Sequence, residues 1–96
     1  MKPSVALKKN RTAVCEITSR FHTTNPRVFG SVLHGDDKEG SDLDLLVEPT
    51  SQTTLMDIGA IRYELRRLLG VNVDVLTPGA LPDSFRAQVL AEAKPV

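Results

Sequence analysis

The sequence predicts an α/β (α+β) domain in which a small sheet is flanked by helices. Three observations predict it. Apolar residues recur at helical spacing in separate stretches, short apolar runs bounded by proline or glycine lie between them, and the two kinds of segment alternate along the chain. At 96 residues the chain is long enough for one hydrophobic core and is expected to form a single domain over 1–96. Hydrophobic residues make up 41% and charged residues 25%, the balance of an ordinary globular protein.

In chain order, Leu7, Val14, Ile17 and Phe21 fall on one face of a first helix running from about Ser4 to Phe21. Asn25-Pro26 is expected to stop it, because proline pushes the preceding residue out of the helical region. Arg27-Val28-Phe29 then reads as a first strand that ends at Gly30. A short helix over Ser31 to His34 leads into the polar stretch Gly35-Asp36-Asp37-Lys38-Glu39-Gly40, an exposed loop. The run Asp42-Leu43-Asp44-Leu45-Leu46-Val47-Glu48 has the composition of a mostly buried strand, and Pro49 ends it.

Thr53 or Thr54 caps a long helix in which Leu55, Ile58, Ile61 or Arg62, Leu65, Leu68 and Leu69 follow helical spacing, with Gly70 as terminator. Val71-Asn72-Val73-Asp74-Val75-Leu76 alternates strictly, with valines on one face and Asn72, Asp74 and Leu76 on the other. Pro82-Asp83 opens a closing helix containing Phe85, Val89 and Leu90. Periodicity leaves the relative direction of the strands open.

Twelve basic and twelve acidic residues cancel, and the only basic cluster is Arg62, Arg66 and Arg67. Direct nucleic-acid binding is therefore not expected, since neutralising several phosphates calls for a basic surplus or stripe. No apolar run has the length of a signal peptide core or a membrane span, and the single Cys15 has no internal partner, so a cytoplasmic location is expected.

The chemistry is concentrated in the aspartates. Residues i and i+2 of a strand share a face, so Asp42 and Asp44 present two carboxylates together. Such residues are depleted in strands and repel one another, and a hard cation is the simplest compensation. Mg²⁺ takes oxygen ligands and shares its shell with substrate phosphates, so a few carboxylates suffice. Asp74 is the natural third member, placed opposite an all-valine face, and can serve as a base. Gly30-Ser31, where a strand turns into a helix, offers backbone N–H groups, an unobstructed approach and a hydroxyl to phosphate oxygens.

Gly30-Ser31, ten intervening residues and then Asp42-Leu43-Asp44 resemble the signature of the DNA polymerase β-like nucleotidyltransferases. The stretch from about Val28 to Leu76 is similar in particular to the minimal nucleotidyltransferases. The resemblance implies that superfamily's fold with its small mixed sheet. It implies Gly30 and Ser31 as phosphate-binding residues, Asp42, Asp44 and Asp74 as catalytic and metal ligands, Mg²⁺ or Mn²⁺ as the ion, and ATP as nucleotide donor. Many minimal members are antitoxins that move AMP from ATP onto a tyrosine of a partner HEPN ribonuclease toxin. The resemblance thus implies a protein adenylyltransferase in a hetero-oligomer with such a toxin. Alternatives are an inactive antitoxin acting by occlusion, and a stand-alone enzyme modifying a small molecule or an RNA end. The chain departs from many relatives at His34, where they carry arginine.

Overall fold

A computed structural model describes residues 1–96. The elements are α1 (Pro3–Lys9), α2 (Arg11–Arg20), β1 (Thr23–Phe29), α3 (Gly30–His34), β2 (Leu43–Pro49), α4 (Leu55–Leu69), β3 (Val73–Leu76), a 3₁₀ turn (Pro78–Ala80), α5 (Asp83–Glu92) and β4 (Lys94–Pro95). They build one mixed sheet of order β3-β2-β1-β4. β1 runs antiparallel to both β2 and β4, whereas β2 and β3, joined through α4, are parallel.

The expected first helix is two helices. At Asn10 the backbone leaves the helical region (φ −132°, ψ 24°), and the Asn10 side-chain amide donates to the Ala6 carbonyl. Asparagine competes in this way for backbone groups that would otherwise continue the helix. Nor does Asn25-Pro26 stop α2, which ends at Arg20; His22 follows with a positive φ of 64°. Asn25-Pro26 instead forms an irregularity inside β1, where the register with β2 shifts between Thr24 and Arg27 and Asn25 takes φ 50°. β4 and the 3₁₀ turn lie in stretches where the sequence shows no strand or helix period.

α4 is the element whose ends are clearest in the sequence. Thr54 forms a capping box with Asp57: the Asp57 N–H donates to Thr54 Oγ1 (3.2 Å) and the Thr54 N–H to Asp57 Oδ2 (2.9 Å). Gly70 closes the helix at φ 69°, a conformation costly for residues with a Cβ. Within α4, Ile61, Leu65 and Leu69 are buried, but Leu55 is 90% exposed and Leu68 41%. The helical spacing over-counted the core because it includes residues at the edges of the buried arc.

The sheet has two unequal faces. Leu43, Leu45 and Val47 of β2, Val73 and Val75 of β3 and Val28 of β1 pack against residues of α1, α2 and α4 in the main core. The other face holds a small cluster of Phe29, Leu46, Leu81 and Val89, covered by the 3₁₀ turn and α5. Because side chains alternate along a strand, Asp44 and Asp74 belong to this second face. No helix is long and apolar enough to cross a membrane.

Candidate active site

β2 and β3 pair with Asp44 directly opposite Asp74, and β1 pairs with β2 so that Phe29, the residue before Gly30, lies opposite Asp44. Residues distant in sequence thus meet at one end of the sheet. Asp42 stands just ahead of β2, which begins at Leu43, and is exposed; Asp44 and Asp74 are half-buried. The expected strand therefore starts one residue later than its composition suggests.

Asp44 is the electrostatic centre of the group. Burial first, then the charges of Asp74 and Asp42, push its carboxyl up to about 6. The three acids share one field, yet no three His, Cys, Asp or Glu side chains converge closely enough to hold a metal ion among themselves. Hard oxygen donors around an excess of negative charge fit a divalent ion that takes its remaining ligands from a phosphate chain. They do not fit an ion caged by protein alone.

Gly30 approaches the acids closely. Its φ is +72°, and a Cβ there would collide with Asp44 Oδ2 and lie 3.1 Å from Asp44 Cγ. The loop backbone and the Asp44 carboxylate are therefore packed against each other. α3, which starts at Gly30, has only five residues, so its dipole adds little and any phosphate would rest mainly on N–H groups and Ser31. His34 lies at the end of α3, with Nε2 3.3 Å from Glu92 Oε2 of α5.

Two residues that sequence reasoning left outside the site lie beside it. Arg62 of α4, with Gly59, lines a cleft of about 350 Å³ that also contains Asp74. Its neighbour Arg66 donates from Nε to the Val73 carbonyl (3.3 Å). The four-residue spacing of Arg62 and Arg66 signals that they share a helix flank, but not that the flank borders β3. Asp37, expected in an exposed loop, is 7% exposed and accepts the Ser4 N–H at 2.9 Å, so it caps α1 from a distance. That hydrogen bond holds its carboxyl below the usual range. No local pattern could reveal this contact, because its partner is 33 residues away.

A mixed sheet with acids in register on two parallel strands, and a Gly-Ser turn packed on one of them, defines a domain suited to nucleotidyl transfer. The nucleotidyltransferase domain family matches residues 7–96, and the chain belongs to that family. A Methanocaldococcus jannaschii protein that bears the provisional name of protein adenylyltransferase is 39% identical over 66 residues, 69% of this chain and 71% of its own. The protein adenylyltransferase MntA of Thermococcus cleftensis is 34% identical over 80% of this chain and 78% of its own. A solved structure provisionally described as a minimal nucleotidyltransferase superposes with a TM-score of 0.86 at 41% identity, covering 97% of this chain and 95% of that one. A toxin–antitoxin structure with AMP-PNP shares the fold, with a TM-score of 0.75 at 18% identity over 90% of this chain and 71% of that one.

Proposed function

We propose that this chain transfers AMP from ATP to a tyrosine of a partner HEPN ribonuclease toxin and so neutralises it, in the cytoplasm and within a hetero-oligomer. The observation that carries this reading is the register of Asp44 opposite Asp74, with the Gly30 backbone packed on the Asp44 carboxylate. Two relatives more than 30% identical carry the name protein adenylyltransferase. Solved chains of the same fold come from toxin–antitoxin structures, one containing AMP-PNP and another described as MntA-HepT.

In this reading Gly30 and Ser31 receive phosphate oxygens of ATP, while Asp42, Asp44 and Asp74 hold Mg²⁺ or Mn²⁺. Such an ion, when bound, polarises the α-phosphate and offsets the charge that develops on the leaving group. The tyrosine oxygen attacks the α-phosphorus and forms a new P–O bond. The bond to the bridging oxygen breaks, pyrophosphate leaves with the electron pair, and the phenolic proton passes to Asp74. A carboxylate at this position also orients the incoming hydroxyl, and closing the reacting atoms to attack distance supplies a large part of the acceleration.

The test incubates the purified chain with ATP labelled at the α-phosphate, Mg²⁺ and lysate of its own host, beside the double variant Asp42→Asn/Asp44→Asn. Label on one protein band with the wild type alone is the expected result. Neutralisation of a confirmed toxin partner by the double variant, with no label transferred by either protein, would overturn catalysis in favour of occlusion.

A further inference from the structure

A second cleft, of about 250 Å³, opens between α3 and α5 and begins at Gly30, so it is continuous with the Gly-Ser turn. One wall is Phe29 and Gly30; the other is the face of α5 that carries Phe85, Gln88, Val89 and Glu92, spaced three, four and seven residues from the first. Val89 is buried in the small cluster and anchors α5 to the sheet, while the Phe85 ring is left 41% exposed. Gln88 has only a long contact, from Nε2 to Glu92 Oε1 at 3.4 Å. The paired His34 and Glu92 side chains also line the cleft.

We propose that this cleft seats the adenine base of the nucleotide donor, with Phe85 as the stacking surface and the Gln88 amide reading the base edge. The inference rests on the AMP-transfer reading and deepens it. An exposed ring beside an under-used carboxamide matches what a purine presents, a π-face and a donor–acceptor edge. A Gln amide can meet the N6 amino group and N7 of adenine together, a pairing guanine cannot offer because it carries O6 in place of the amine. The weak Gln88–Glu92 contact is one that a base edge can replace without leaving a group unsatisfied. Because Gly30 belongs to both the turn and the cleft, one nucleotide can lie along them, with its phosphates at Ser31 and its base against Phe85.

The experiment measures equilibrium binding by titration calorimetry, with Mg²⁺ present, of ATP, GTP and inorganic tripolyphosphate to the full chain and to Phe85→Ala, Phe85→Trp and Gln88→Ala. Phe85→Ala should weaken ATP by about tenfold, the scale of one base–aromatic stack, and leave tripolyphosphate unchanged. Phe85→Trp should restore ATP binding, and Gln88→Ala should narrow the preference for ATP over GTP. Both side chains are exposed enough to be replaced without opening the core. Unchanged ATP affinity in both alanine variants, or an equal loss of ATP and tripolyphosphate, would overturn the base seat while leaving nucleotidyl transfer standing. A wild type that binds neither ATP nor tripolyphosphate would overturn the nucleotide reading itself and this inference with it.

Discussion

Gly30→Ala tests the contact at the centre of the site. Alanine at φ +72° costs about 1–2 kcal/mol in backbone strain alone. Its Cβ also overlaps Asp44 Oδ2 and lies 3.1 Å from Cγ, so the carboxylate has to move by about 1 Å to regain ordinary contact. For a domain of this size each kcal/mol lowers the melting temperature by about 4–8 °C, so the strain alone should cost about 5–15 °C. Displacing a reacting or ligating group by about 1 Å costs on the order of a hundredfold in rate. The assay is transfer of α-labelled AMP to the acceptor band at saturating ATP, with melting followed by circular dichroism on the same samples. Ser31→Ala is the comparison: it removes one hydroxyl from the same turn without touching Asp44, and should lose about tenfold in rate with little change in melting. Wild-type transfer and wild-type melting in Gly30→Ala would refute the claim that the turn and the carboxylate are locked together.

Further expectations follow from the same geometry. The Asp44 carboxyl is raised to about 6 in the folded chain from an ordinary 3.8, so without divalent ions its own contribution to stability is full below about pH 4 and is lost as pH rises through 6. Asp44→Asn should therefore melt higher than the wild type at pH 7.5 without Mg²⁺, while abolishing transfer; a lower melting temperature would contradict this. Asp37 behaves oppositely, its depressed pKa giving stability above the unfolded value that disappears as pH falls below about 4. Asp37→Ala should accordingly destabilise the chain more at pH 7 than in acid, where protonation has begun to remove the charged acceptor, as read by urea unfolding followed by circular dichroism at the two pH values. Thr54→Ala, which breaks the α4 capping box, should cost about 1 kcal/mol in urea unfolding and leave nucleotide binding unchanged.

The elements legible in the sequence are those whose boundaries are local. Thr54 and Gly70 mark α4 because a cap and a left-handed terminator act within a turn of the helix. The Gly-Ser turn and the Asp42–Asp44 spacing are likewise short-range, and so were readable as candidates. What depended on distant partners was hidden. The parallel direction of β3 follows from the α4 crossover, the burial of Asp37 from a helix 33 residues earlier, and the contact of Gly30 with Asp44 from the β1–β2 register. Helical spacing joined α1 to α2 because Leu7, Val14 and Ile17 all do reach the core; the break at Asn10 depends on a side-chain hydrogen bond that periodicity does not register.

The parallel pairing of β2 and β3 has a consequence for the charge around the acids. Asp44 and Asp74 lie near the starts of their strands, and α4 begins beyond the opposite end of β2 and finishes just before β3. The longest helix of the chain therefore turns its carbonyl-rich, negative end toward the acids and its amide-rich end away. In the more familiar doubly wound folds the reverse holds, with ligands outside the carboxyl ends of the strands and helix N-termini there to meet phosphate. Here the dipole of α4 adds to the negative potential at the acids instead of relieving it, and Arg66 and Arg67 in the last turn of that helix supply the opposing positive charge.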